Sequence, residues 1–385
     1  MKISQKIFNV ISKHFKLPLN LHEPYLPKNQ TLLTLKKCIN ENHISTFGSH
    51  NNKFEKLISN FTKSKNVVSV CNGTSAIYLS LISLNIKKDD EVLIPSFNFV
   101  ASTNATLAAG GCPHFVDIDF ESFGIDATKL DNYLKIKTYK DGKFFFNKLT
   151  NRPIKYIIPT HVFGHICDIK KLLKICKKYN LKMVEDASEA LGSFYKKKHA
   201  GTFGELGVIS FNGNKIVTTG GGGAILCKNS KIAKKIRHIS STSKKKHPWR
   251  LIHDEFGFNL RMPNINAAIG INQMINLKKT LKKKRKLFEL YSKIFVGLNE
   301  ISLFKEPKNR LSNYWLQTIV IKDTKKIKTK SIIKYLRKKG IEVRPGWCAM
   351  TKLEHLKNYP RMNCKNSEIL ENKIINIPSG PNLIY

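Results

Sequence analysis

Acidic side chains are scarce in this chain of 385 residues: 27 Asp and Glu stand against 67 Lys and Arg, a formal charge of +40. Such a balance invites a nucleic-acid partner. Arginine is scarce too, however, at nine of those 67. The lysines are spread along the whole chain, with short runs at 196–198, 244–246 and 282–284. No basic segment is interleaved with aromatics, and no usual nucleic-acid module is present, so nucleic acid is not the expected partner. A basic surface still attracts anionic, nucleotide-linked substrates. No apolar run approaches the roughly 20 residues of a membrane helix, so no membrane span is expected. The first residues, MKISQKIFNVISKHFKLPL, lack the apolar core and small-residue cleavage site of a secretory signal. Ile3, Ile7, Val10, Ile11 and Phe15 fall at helical spacing there. A short docked helix is the expectation, and a membrane-surface helix is the alternative. None of the eight cysteines forms a C-x-x-C pair. They are scattered through apolar or mixed segments and read as reduced packing residues of a cytoplasmic protein. The nearest approach to a metal pattern is His161-Val-Phe-Gly-His165-Ile-Cys167. Histidines at i and i+4 share a face only on a helix. Pro159 and Gly164 indicate a strand end and loop instead, so no metal site is expected.

Hydrophobic residues make up 41% of the chain and aromatics 10%, a globular profile long enough for one large domain and a smaller one. Strand and helix patterns alternate through the first half. Val67 to Val70 reads as a strand, followed by Asn72-Gly73-Thr74 and a helix over 77–84. Glu91 to Pro95 is a strand, then a small-residue helix over 100–109, then a strand over 113–117. Lys155 to Pro159, a helix over 168–179 and the strand 182–185 follow. This order implies an α/β fold: a mostly parallel sheet with helices on both faces and ligands beyond the carboxyl ends of its strands. Gly73, Thr74, Phe99, His161 and Asp186 all stand just past such ends. A long helix is expected from Asn264 to about 296, with an apolar first half and a basic second half. The strands at 314–321 and 340–344 and the helix at 329–339 then suggest a smaller α+β unit. The division expected is 1–261 and 262–385.

The chemistry concentrates between Leu181 and Leu226. Asp186 ends an apolar strand, Ser210-Phe211 close another, Lys215 lies in a turn of Asn, Gly and Thr, and four glycines, 220–223, precede a third strand. Pyridoxal phosphate needs a lysine amine for its aldehyde and a carboxylate for its ring nitrogen. It also needs donors at a helix start for its phosphate and an apolar face for its ring. Each element alone has an ordinary structural explanation; their order and spacing favour the cofactor. The glycines read as a phosphate loop or, better, as a close-packed turn behind the lysine.

Asn72-Gly-Thr-Ser-Ala, Asp90-Glu-Val-Leu-Ile-Pro-Ser-Phe-Asn-Phe-Val-Ala-Ser, Phe115-Val-Asp-Ile-Asp and His161-Val-Phe-Gly recur as a set with four later motifs. These are Glu185-Asp-Ala-Ser-Glu-Ala-Leu-Gly, Gly201-Thr-Phe-Gly, Ser210-Phe-Asn-Gly-Asn-Lys and Gly257-Phe-Asn-Leu-Arg-Met. On these the chain resembles the DegT/DnrJ/StrS sugar aminotransferases, of PLP fold-type I (aspartate aminotransferase-like), over nearly its whole length. Gly220-Gly-Gly-Gly223, where many members carry Gly-Glu-Gly-Gly, and Leu21-His-Glu-Pro24 look most like the legionaminic-acid-type branch. That branch aminates UDP-linked 4-keto-6-deoxy-N-acetylhexosamines.

The resemblance implies roles. Lys215 would join the cofactor as a Schiff base and later move the proton. Asp186 would pair with the ring nitrogen, Glu189 would sit near the ring hydroxyl, and Phe99 would stack on the ring. Gly73, Thr74 and Ser210 would hold the phosphate, and Asn259 would reach it from the other subunit of a homodimer. Arg344 and Trp347 would lie near the substrate. L-Glutamate would be the amino donor and a nucleotide sugar the acceptor, in two half-reactions with ping-pong kinetics. The product would serve surface polysaccharide or nonulosonic-acid-type biosynthesis. Related sugar 3-dehydratases carry His in place of the lysine, so Lys215 favours transamination. The alternatives are an inactive or regulatory member, or an enzyme acting on a C3 ketone or a non-UDP sugar. Relatives usually continue past the Ile377-Pro-Ser region into a closing helix, so a slightly clipped small domain is also an expectation.

Overall fold

The computed structural model describes residues 1–384. Three helices, α1 (Ile3–His14), α2 (Lys28–Asn40) and α3 (Ser49–Thr62), precede the first strand, β1 (Asn66–Val70). Then follow α4 (Gly73–Ser83), β2 (Glu91–Pro95), α5 (Ala101–Ala108), β3 (Cys112–Val116) and α6 (Ala127–Lys137). Next come the hairpin β4 (Thr138–Asp141) and β5 (Phe144–Asn147), then β6 (Pro153–Ile157), α7 (Ile169–Tyr179) and β7 (Lys182–Asp186). A small ribbon, β8 (Phe194–Tyr195) and β9 (Lys198–His199), leads to β10 (Leu206–Ser210), β11 (Gly223–Cys227) and α8 (Ser230–Ile239).

The main sheet runs β1-β11-β10-β7-β6-β2-β3. Only β11 is reversed along this path; it is antiparallel to β1 and β10, and every other pairing is parallel. β2, β3, β10 and β11 are buried along their whole length. Strands covered on both faces by helices have no solvent side, which is why they read as continuous apolar runs. The carboxyl ends of β1, β2, β7 and β10 therefore lie along one edge, at Val70, Pro95, Asp186 and Ser210. Val70 and Ser210 both stand opposite Gly223.

Helix α9 (Asn264–Ile294) packs on α2 and α3 and leads to β12 (Ile301–Leu303), β13 (Arg310–Leu311) and β14 (Gln317–Ile321). After α10 (Thr329–Lys338) come β15 (Arg344–Pro345), α11 (Lys365–Glu371) and β16 (Ile374–Ile377). A second, antiparallel sheet of order β12-β14-β16-β15 forms here. Helix α1 opens the chain yet packs on this sheet: Ile7, Ile11 and Phe15 join Ile319, Ile332, Val343 and Ile375 in one core.

Three details depart from the sequence expectations. The 138–147 hairpin was not anticipated. The strand expected at 314–321 begins only at Gln317, because Tyr314 has φ +48° and the chain turns there. The strand expected at 340–344 shrinks to Arg344–Pro345, since Gly340 and Glu342 bond instead to the backbone of Leu19. The basic half of α9 also hides one lysine. Lys284 is fully buried, with Nζ donating to the carbonyl oxygens of Trp315 at 2.8 Å and of Ser379. Burial holds its pKa well below the ordinary lysine value.

Candidate active site

The Glu185-Asp186 pair divides its labour. Glu185 is buried inside β7 and accepts from His161 Nε2 at 3.0 Å and from the backbone N–H groups of Gly201, Phe203 and Gly204 at 2.5–2.8 Å. His161 Nδ1 in turn accepts from the Cys167 N–H. This acid is spent on holding the 201–204 loop, and the motif that resembled a metal site is spent with it. His165 likewise packs edge-on against Phe304 and Tyr314.

Asp186 is different. Its backbone is fixed at the strand end by Pro159 and His161. Its carboxylate accepts from Ser102 Oγ at 2.7 Å and from the Ser188 N–H at 3.2 Å. Ser102 comes from the first turn of α5, three residues after Phe99. The roughly four lone-pair sites of its two carboxylate oxygens are not exhausted by two donors, so Asp186 is oriented and still able to bind a further N–H.

Just past Phe211, the turn Asn212–Lys215 closes with Lys215 N–H on Asn212 O at 3.0 Å. Lys215 Nζ lies 3.1 Å from Glu189 Oε1 and 3.9 Å from the ring centroid of Trp315. Trp315 also donates Nε1–H to Asn214 O at 2.8 Å, so one side chain braces both the turn and its ammonium. Glu189 Oε2 accepts the Phe163 N–H at 2.9 Å. Burial pushes the Glu189 pKa up, and Lys215 and the Phe163 N–H pull against it. His22 stands behind this group. Its ring nitrogens find no partner among the described residues, and burial, then Lys284 and Lys215, hold its pKa well below normal.

A small cradle lies on the same edge. Helix α4 starts at Gly73, and Asn72 caps it by accepting from the Ser75 N–H at 2.8 Å. A methyl group on Gly73 would sit 3.1 Å from Ser210 Cβ, 3.3 Å from Ser210 Oγ and 3.5 Å from Ser188 Oγ. Two hydroxyls and a helix N-terminus thus converge where no side chain stands, a disposition suited to a phosphate. Thr74 is exposed on the first turn of α4. The glycine run serves packing: a methyl on Gly223 would lie 2.6 Å from the Asn72 carbonyl, and one on Gly222 would collide with Thr219 Oγ1. Gly221 and Gly220 carry no such steric demand from neighbours.

Other anticipated residues are placed less closely. Phe99 is 57% exposed and borders the site only through its position before Ser102. Asn259 is exposed on a segment bridged to Ser241. Arg344 is exposed and pairs with Glu342 at 2.9 Å. Trp347 packs on Phe97 and on Phe163, the residue whose N–H holds Glu189. Sequence reasoning missed Ser102, Ser188, Trp315 and His22. Ser102 lay at the end of a quoted motif, but nothing local showed that it would face Asp186.

An amine, a carboxylate for a ring nitrogen and an open phosphate cradle fit pyridoxal phosphate. Buried polar atoms left without partners in the adjoining segments, Asn98 Nδ2, Thr103 Oγ1 and Thr160 Oγ1, are consistent with a polar ligand there. Fold and site together fit a pyridoxal-phosphate-dependent aminotransferase. The chain belongs to the DegT/DnrJ/EryC1/StrS aminotransferase family, whose model matches residues 27–384. It is 32% identical to the GDP-perosamine synthase of Vibrio cholerae over 368 residues, 94% of each chain. It is 31% identical to the UDP-4-amino-4,6-dideoxy-N-acetyl-beta-L-altrosamine transaminase of Campylobacter jejuni over 287 residues, 74% of this chain and 68% of that one. Its fold matches that of PseC from Helicobacter pylori, an aminotransferase involved in the biosynthesis of pseudoaminic acid. The TM-score is 0.85 and the identity 24%, over 95% of this chain and 94% of that one.

Proposed function

We propose that this enzyme transfers an amino group from L-glutamate to the C4 ketone of a UDP-linked 4-keto-6-deoxy-N-acetylhexosamine. The product would feed surface polysaccharide or nonulosonic-acid-type sugar biosynthesis. The observation that carries the reaction type is Lys215 Nζ, held 3.1 Å from Glu189 on the sheet edge that also presents Asp186. A GDP-linked 4-keto sugar is the second reading, favoured by the perosamine synthase relative that matches this chain over 94% of both lengths.

Bound pyridoxal phosphate supplies an electron-withdrawing ring that stabilises negative charge at a neighbouring carbon. Asp186, oriented by Ser102, keeps a proton on the ring nitrogen. Lys215 takes a proton from the donor carbon and later returns one to the sugar carbon. Gly73, Thr74 and Ser210 would hold the phosphate, Phe99 would lie against the ring and Glu189 would stand near its hydroxyl. Arg344 and Trp347 border the sugar side.

The working unit in this reading is a homodimer with a shared site, in which Asn259 serves the partner's phosphate. The exposed apolar residues Trp249, Leu251 and Phe256, on the segment leading to Asn259, support such an interface. Residues 1–261 frame the cofactor and 262–385 carry the smaller sheet, with α1 reaching across to it. The cytoplasm is the compartment in which these substrates would be met. Among the described residues no helix is long and apolar enough to cross a membrane.

The test is a panel of UDP-, GDP- and dTDP-linked 4-keto and 3-keto sugars offered with glutamate, the products being resolved by mass and NMR. Amination of the UDP-linked N-acetylated 4-ketone, well above the others, is expected. Exclusive turnover of a GDP-linked sugar would establish the second reading, and turnover of 3-keto sugars alone would contradict both.

A further inference from the structure

Lys215 is useful as a nucleophile only when its nitrogen carries a lone pair, and an ordinary lysine amine is protonated near neutral pH, with a pKa of about 10.4. The proton must go somewhere. Glu189 Oε1 is 3.1 Å from Nζ, and only 13% of the Lys215 side chain and 5% of the Glu189 side chain reach solvent.

We propose that Glu189 is a catalytic base for Lys215, taking the ammonium proton directly before the lysine joins the cofactor; this rests on the function proposed above. In the step, one Nζ–H bond breaks and one O–H bond forms at Oε1. The electron pair of the broken bond stays on nitrogen. The ammonium–carboxylate pair becomes an amine–carboxylic acid pair with no change in net charge. The freed lone pair adds to the cofactor's carbonyl carbon, and water leaves.

The surroundings suit both forms. On the side of the carboxylic acid are burial and the nearby Asp186 carboxylate; on the side of the carboxylate are Lys215 and the Phe163 N–H. The Trp315 ring lies against Nζ, and the Asn313 amide fixes the Glu189 backbone at 2.8 Å. His22, the remaining titratable group beside Lys215, is kept neutral by burial and by the two lysines. A buried ion pair pays a desolvation cost that the neutral pair avoids, so transfer across this short contact is not strongly uphill.

The experiment mixes cofactor-free enzyme with pyridoxal phosphate in a stopped-flow instrument and follows visible absorbance from pH 6 to 9. Wild type is expected to capture the cofactor at a rate that varies little with pH. Glu189→Gln keeps the shape and an oxygen for the Phe163 N–H but cannot take a proton. Its capture should be at least about tenfold slower at pH 7 and should rise about tenfold per pH unit, as for a lysine that must lose its proton to water. Glu189→Asp should recover part of the loss. Equal rates and equal pH profiles for wild type and Glu189→Gln would overturn the proposal. Difference infrared spectra of wild type supply a check that needs no variant: capture should raise the carbonyl stretch of a protonated carboxyl, and its absence would also overturn it. A wild type that captures no cofactor at all would instead refute the function proposed above.

Discussion

Trp315 lies with its ring centroid 3.9 Å from Lys215 Nζ and its indole N–H on the carbonyl of Asn214, although one hundred residues separate it from the lysine. It joins the C-terminal part of the chain to the catalytic turn. A ring beneath an ammonium contributes roughly 0.5–2 kcal/mol, and the hydrogen bond about 1 kcal/mol more.

Trp315→Phe should keep the ring and lose the brace on Asn214. The expected result is cofactor affinity weakened by a few-fold to about tenfold, with thermal stability nearly unchanged. Trp315→Ala should weaken it further and lower the melting temperature, because a large buried side chain is lost. Equilibrium titration by visible absorbance and thermal unfolding check both.

Asp186→Asn should lower kcat by roughly a hundred- to a thousandfold while leaving the fold intact, since the amide cannot keep the ring nitrogen protonated. Ser102→Ala should cost about tenfold, the value of one hydrogen bond to a charged group. If Ser102 acts only through Asp186, the double variant should be no worse than Asp186→Asn alone, a non-additivity that steady-state kinetics will read.

Gly73→Ala places a methyl 3.1–3.5 Å from Ser210 and Ser188, inside the cradle. Retention of pyridoxal phosphate on gel filtration should fall sharply, and the circular dichroism spectrum should not change. Pyridoxal without its phosphate should bind the variant and wild type about equally, because the cradle contributes nothing to it.

Acid should destabilise the fold through two buried histidines. Burial depresses the His165 pKa to about 3 and the His199 pKa to about 4. The unfolded chain takes up protons near pH 6.5, whereas these folded histidines do not, so the unfolded state binds more protons below that value. Stability is therefore fully present above about pH 6.5 and declines as pH falls toward 4, by about 1.4 kcal/mol per unit for each histidine. Urea unfolding at pH 7, 6 and 5 should show the midpoint falling. His165→Leu, which removes a ring whose nitrogens lack partners, should flatten that slope.

The parallel sheet was legible because its strands are short apolar runs separated by helical patterns, and the strand ends then aligned Gly73, Asp186 and Ser210. Lys215 stood out because a lone lysine follows a Ser-Phe strand end inside a turn. The 138–147 hairpin was missed although Asp141-Gly142 is a hairpin signal; the lysines and aromatics around it do not alternate cleanly. Lys284 could not be picked out, since it sits in a run of lysines and its burial depends on carbonyls of Trp315 and Ser379 brought in from elsewhere. Trp315, Ser102 and His22 share that difficulty: each meets the site through tertiary contacts that leave no periodic trace in the chain.

The most direct test compares wild type with Lys215→Ala after incubation with pyridoxal phosphate. Wild type should show a visible absorbance band that bleaches on adding L-glutamate, with one equivalent of 2-oxoglutarate released per site before any sugar is added. The variant should show neither the bleaching nor the product. No band in wild type, or undiminished 2-oxoglutarate release by Lys215→Ala, would contradict the assignment of this lysine as the centre of the site.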